Sequence, residues 1–267
     1  MNKIIFTDLD GTLLNDQSAI SEYTRNTIID FINRGNRLVF SSGRSLPSVI
    51  KVANDLGLAI PGTYIASCNG TQIYDLSADK TIFESRMNMK NVIDIWDYAY
   101  SDNLHIQTYS DDSLIIKNYD EEVRYYTVRC PLPVIETDNP HNILAKGPCK
   151  MLAIDLHNHD KLTAFSEYIS STYPELTTMF SNPLYLEIFN KEAGKGNALK
   201  YICKYLNTEI SNSYAFGDEE NDISMLKAAG TGVAMCNGNS KIFDYSDEIS
   251  KYDNNNDGLA KYIEKID

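Results

Sequence analysis

The chain has 267 residues, a formal net charge of −13 and a sequence pI of about 4.7, a balance that argues against nucleic acid or an anionic membrane as its main partner. At 43% hydrophobic and 23% charged it has an ordinary globular composition, enough for one large domain or two modest ones with sizeable cores. Five scattered cysteines, without a Cys-x-x-Cys pair, suit reduced thiols better than a disulfide framework or a zinc site.

Lys3 to Thr7 is an apolar run with β-branched and aromatic members, read as a buried strand, and it ends in Asp8-Leu9-Asp10-Gly11-Thr12. Because the strand begins within three residues, with no signal-peptide pattern and no apolar run of about 20 residues, the expected location is the cytoplasm. Ser21 can cap a helix with Tyr23, Thr27, Ile28, Phe31 and Ile32 on one face. Arg37 to Ser41 is a short strand running into Ser42-Gly43-Arg44, a helix with Pro47 in its first turn follows, and Thr63 to Ser67 is a third strand before Asn69-Gly70. Strand alternating with helix predicts a parallel sheet with helices on its faces.

From about Thr81 the rhythm changes. Val92, Ile95, Trp96 and Ala99 make a helical stripe, Leu104 to Lys117 reads as a hairpin, Tyr119 to Tyr126 as a helix, Lys150 to Asp155 as a strand, and Thr177 to Ser181 with Leu184 to Phe189 as paired strands. The alternation returns at Gly194-Lys195-Gly196, with a strand at Ser213 to Phe216 ending in Gly217-Asp218-Glu219-Glu220-Asn221-Asp222 and a last one at Gly232 to Met235. The whole predicts an α/β fold: a Rossmann-like parallel-sheet core domain over residues 1–85 and 187–267, interrupted by an inserted α+β domain over 86–186.

Four strands thus end in polar or charged turns: at Asp8 and Asp10, at Ser42 and Arg44, at Asn69, and at Asp218 through Asp222, with Lys195 in a glycine-flanked turn at a helix start. Ligands of open α/β sheets gather at the carboxyl ends of the strands. Singly, each turn reads as a solvated loop; together they point to one site. His157 and His159 alternate as metal ligands sometimes do but sit at a strand-to-helix junction in the insertion, and Cys236 after the last strand reads as an inert buried thiol.

Asp8-Leu9-Asp10-Gly11-Thr12 resembles the first signature of the haloacid dehalogenase-like phosphatases, Ser42-Gly43-Arg44 the second, Lys195 the third and Gly217 to Asp222 the fourth, in the family's order. The Asn69-Gly70 turn and the insertion between the second and third signatures are similar to the Cof-type subgroup, whose members carry an α/β cap there. The resemblance implies that Asp8 is the nucleophile and becomes an aspartyl phosphate, and that Asp10 protonates the leaving alcohol and later deprotonates the hydrolytic water. It further implies Mg²⁺ held by Asp8, the backbone carbonyl of Asp10 and Asp218. Phosphate would be held by Ser42, by backbone amides of Leu9, Asp10 and Gly43, by Lys195 and by Asn221. Asp222 would orient Lys195 or the metal's waters, and Arg44 is open between a substrate contact and a structural ion pair.

The expected function is hydrolysis of a small phosphorylated metabolite, a sugar phosphate or a phosphorylated cofactor. A phosphomutase or phosphotransferase on the same scaffold, and a non-catalytic phosphate-responsive module phosphorylated on Asp8, are the alternatives; a dehalogenase would have no need of Asp10.

Overall fold

In the computed structural model, which describes residues 2–266, the apolar run ahead of the paired acids forms strand β1 (Ile4–Thr7), all four side chains buried. Helix α1 (Glu22–Asn33) starts where Ser21 Oγ accepts the Thr24 N–H at 3.0 Å. Its Ile28, Phe31 and Ile32 turn into the core, whereas Tyr23, expected in the same stripe, is exposed. Then come β2 (Arg37–Ser41), α2 (Leu46–Asp55) and β3 (Thr63–Ser67). Two short strands without a clear sequence signal, β4 (Gln72–Asp75) and β5 (Lys80–Glu84), add an antiparallel hairpin.

The middle of the chain supplies α3 (Met89–Ser101), the hairpin β6 (His105–Tyr109) and β7 (Leu114–Ile116), and α4 (Glu121–Arg129). It continues with β8 (Val134–Glu136), β9 (Lys150–Ile154), α5 (His159–Thr172) and the hairpin β10 (Leu176–Asn182) and β11 (Tyr185–Asn190). The last part runs through α6 (Lys195–Tyr205), β12 (Ser213–Gly217), α7 (Ile223–Ala228), β13 (Thr231–Ala234), β14 (Glu248–Ile249) and α8 (Gly258–Ile263).

These elements divide into two compact units, one formed by residues up to Glu84 and from Ala193 onward, the other by Ser85–Glu192. The first unit is an eight-stranded sheet in the order β14-β13-β12-β1-β2-β3-β4-β5, parallel from β14 to β3. Ile5 and Phe40 pack with Phe31 and Val49 on one face, and Ile4 and Phe6 with Leu199, Ile202 and Met225 on the other. Burial on both faces is why β1 reads as a continuous apolar run instead of an alternation.

The inserted unit is a six-stranded sheet, β10-β11-β9-β6-β7-β8, antiparallel except between β7 and β8. Trp96 and Phe165 cover one face with Ile106, Met151 and Ile188. The expected limit of this insertion at residue 186 falls inside β11, whose pairing with β9 runs on from Tyr185 to Phe189. No helix among the described residues is long and apolar enough to cross a membrane.

Register positions the site. Thr7, the last residue of β1, lies opposite Phe40 of β2 and Phe216 of β12. Parallel strands ending level send Asp8, Ser42 and Asp218 out at one edge of the sheet.

Candidate active site

The loop after β1 closes on itself: the Leu9 carbonyl accepts the Leu13 N–H at 3.1 Å and the Leu14 N–H at 2.8 Å. Gly11 has φ +78°, and a Cβ there would stand 2.3 Å from Asp218 Oδ2, so a side chain would displace that carboxylate. One residue on, Thr12 Oγ1 donates to Asp218 Oδ1 at 2.6 Å. Thr12 thereby ties the first loop to the fourth, a role that its place in the first signature did not announce.

Lys195 opens α6 and is buried, its Nζ 2.5 Å from Asp8 Oδ1 and 2.5 Å from Asp222 Oδ1. The other oxygen of Asp222 accepts the backbone N–H groups of Asp218 at 3.0 Å and Glu219 at 3.1 Å. Three carboxylates (Asp8, Asp218, Asp222) therefore share one ammonium, −3 + 1 = −2 in formal charge, in a largely buried space. Burial pushes the Asp8 carboxyl up to about 8, with repulsion from Asp222 and Asp218 adding to it and Lys195 opposing it. Burial likewise raises Asp218 to about 7 against the hydrogen bond from Thr12. Burial alone would lower Lys195, but Asp222 and Asp8 overcome it and hold the ammonium above the usual lysine range.

This imbalance suits a cation. Asp8, Asp218 and Asp222 offer carboxylate oxygens within 4.8 Å of one another. Both oxygens of Asp222 are already engaged by Lys195 and the backbone, whereas Asp8 and Asp218 each keep a second oxygen beyond the one taken by Lys195 or Thr12. Hard anionic oxygens carrying uncompensated charge fit a Mg²⁺-type ion, not a thiophilic one.

Around this cluster stand the other expected residues. Ser42 is buried, and its Oγ accepts the Arg44 N–H at 3.2 Å, which leaves the hydroxyl hydrogen to donate. Arg44 forms an ion pair with Asp10, Nε to Oδ2 at 2.9 Å and Nη2 to Oδ1 at 2.6 Å. The side chain of Asp10 is thus held by Arg44, while that of Leu9 is buried in the core and only its backbone is left to meet an anion. Asn221 donates from Nδ2 to Asn69 Oδ1 at 3.3 Å, and Gly43 packs over the same Asn69. Elsewhere, His157 pairs with Glu121 and His159 with the Pro183 carbonyl, and neither belongs to a metal-ligand cluster among the described residues; Cys236, expected buried, is exposed, because it follows the end of β13.

A family model described as haloacid dehalogenase-like hydrolase matches residues 5–263. A 5-amino-6-(5-phospho-D-ribitylamino)uracil phosphatase of Bacillus subtilis is 27% identical, over 99% of this chain and 98% of its own. Among solved structures, a haloacid dehalogenase-like hydrolase from Bacteroides thetaiotaomicron is 28% identical with a TM-score of 0.88, over all of both chains. A Thermotoga maritima protein is 31% identical with a TM-score of 0.85, covering all of this chain and 98% of its own.

Proposed function

The chain belongs to the haloacid dehalogenase-like hydrolases as a phosphoric monoester hydrolase of their Cof type, and from that premise we propose that it hydrolyses small phosphorylated metabolites with Mg²⁺ through an aspartyl phosphate on Asp8. One observation carries this reading: Asp8 lies at the end of the central strand, paired with buried Lys195 and beside Asp218, in a pocket with a formal excess of negative charge. A nucleophilic carboxylate, a fixed cation and a vacancy in charge for a second cation are what transfer of a phosphoryl group requires.

In this reading Asp8, the Asp10 carbonyl and Asp218 would hold a Mg²⁺ ion, and the ion would supply neutralisation of charge on the phosphoryl oxygens. A carboxylate oxygen of Asp8 attacks phosphorus, the bond to the substrate's ester oxygen breaks, and that oxygen takes a proton from Asp10. Asp10 then removes a proton from water, which attacks the phosphoryl group, releasing inorganic phosphate and restoring Asp8. Lys195 offsets charge on the phosphoryl group while Asp222 fixes its direction. Ser42, the amides of Leu9, Asp10 and Gly43, and Asn221 orient the oxygens. In sequence the inserted unit takes the place of the Cof-type cap, and we assign it the choice of substrate. The Bacillus relative, named for a phosphorylated ribitylamino compound, supports sugar phosphates or phosphorylated cofactors as substrates.

The test is release of free phosphate from p-nitrophenyl phosphate and from a hexose phosphate, with Mg²⁺ and with EDTA. Turnover that persists in Asp8→Asn would overturn the covalent route, and isomerised sugar phosphate in place of free phosphate would make the protein a mutase.

A further inference from the structure

The turn after β3 is the least relaxed backbone near the site. Cys68, Asn69 and Gly70 have φ of +48°, +56° and +86° in succession, and left-handed backbone is costly for residues with a side chain, Asn tolerating it best. Strain of this kind persists where the surroundings over-determine it. Here they do so on three sides. The Cys68 N–H donates to the Arg44 carbonyl at 2.8 Å and the Asn69 N–H to the Ser42 carbonyl at 2.9 Å, which fixes the second signature loop. A Cβ on Gly70 would lie 2.6 Å from the carbonyl oxygen of Gly194, the residue before Lys195. Asn69 itself is fully buried, and its Oδ1 accepts from Asn221 of the fourth signature.

We propose that Asn69 is a positioning residue that presents Asn221 to the phosphoryl group. The inference rests on the phosphatase reading above. A primary amide has two N–H hydrogens, and one donated to Asn69 fixes the plane of the Asn221 amide and leaves the other to point at an anion. Without the acceptor at position 69, Asn221 rotates freely and pays that ordering when phosphate arrives. The side chain of Asn69 also fills the space beneath Gly43, its amide atoms 3.4 Å from where a Gly43 Cβ would stand, so one residue references both the Ser42-Gly43 loop and Asn221.

Asn69→Gly separates the side chain from the backbone, because glycine keeps the left-handed conformation and both backbone hydrogen bonds. With the wild type first shown to hydrolyse p-nitrophenyl phosphate, the inhibition constant for inorganic phosphate and the KM should rise about fivefold to tenfold, the effect of one hydrogen bond. The kcat and the Mg²⁺ concentration for half-activity should stay unchanged, a split that general loosening of the fold would not produce. Asn221→Ala should show the same rise, and the double variant should be no worse than Asn221→Ala alone. If Asn69→Gly folds poorly, Asn69→Ala, which keeps the Cβ but loses the amide, carries the same expectation. A wild-type phosphate constant in the position-69 variant, or additive losses in the double, overturns the role of Asn69 alone. A wild-type constant in Asn221→Ala removes the phosphate role of Asn221 and this proposal with it, and a wild type without phosphatase activity removes both readings.

Discussion

Arg44 grips Asp10 with two of its nitrogens, at 2.9 Å and 2.6 Å, one to each carboxylate oxygen. For Asp10 to serve a leaving group, as proposed, its carboxyl must turn from the guanidinium towards the ester oxygen. Arrival of a phosphoryl group offers the guanidinium an alternative bidentate partner. Arg44→Ala should therefore lower kcat/KM about tenfold while hardly moving the melting temperature, since the pair is 31% and 57% exposed and worth at most about 1 kcal/mol. Arg44→Lys, a point charge without the fork, should recover only part of the loss. Unchanged kinetics in both variants would make the pair a surface ornament.

Lys195 and Lys51 each pair with an aspartate, but in opposite surroundings. Lys51 and Asp55 are 76% and 60% exposed, whereas Lys195 is wholly enclosed between Asp8 and Asp222. Removing Lys195 leaves Asp8 and Asp222 without the ammonium that pairs them, so Lys195→Ala should cost about 3–5 kcal/mol in urea unfolding. Lys51→Ala should stay within about 0.5 kcal/mol.

Stability without divalent cations should fall as the pH rises. Asp8, raised to about 8, and Asp218, raised to about 7, hold protons in the folded protein at pH values where the unfolded chain, with carboxyls near 3.9, has lost them. Their contribution is complete below about pH 4 and vanishes as the pH climbs through 7 and 8. Mg²⁺ competes with those protons, so it should raise the melting temperature more at pH 8.5 than at pH 6 and release protons on binding. Melting in EDTA that is flat or improves from pH 6 to 8.5 would contradict the burial of charge described above.

Asp8→Asn should separate activity from stability. It removes one of three mutually repelling carboxylates and leaves Lys195 paired with Asp222, so in EDTA at pH 8.5 the variant should melt at a higher temperature than the wild type. Hydrolysis should nevertheless disappear, a trade expected where a site is strained for function. Differential scanning fluorimetry beside a phosphate-release assay reads both.

Much of this was visible in the residues themselves because the site is built from strand ends. An apolar run that stops at Asp8, Ser42 or Asp218 announces both the strand and the edge it leaves, and β2 and β3 occupy the expected Arg37–Ser41 and Thr63–Ser67. β4, β5 and β8 were less legible: three to five residues, partly exposed, are too short for a period to declare itself. Side-chain direction was hidden altogether. Nothing in the spacing says that Arg44 turns to Asp10 or that Asn221 turns to Asn69, because those choices depend on loops separated by 34 and 152 residues meeting in space. Thr12 and Gly11 were in plain view within the first signature, but their reason lies across the chain at Asp218.

The position of β1 between β2 and β12 sets an order of assembly. On the ribosome, β1 and β2 emerge early, yet the other edge of β1 has no partner until residues 213–217 have been made. By then all six strands of the inserted unit have been synthesised, so that unit can close while the core still waits. The wait leaves an apolar strand with an open edge, a hazard for a chain that stalls before β12. It also means that Asp8 meets Asp218 and Asp222 only once β12 has been made to pair with β1, so the crowd of negative charge gathers late in synthesis.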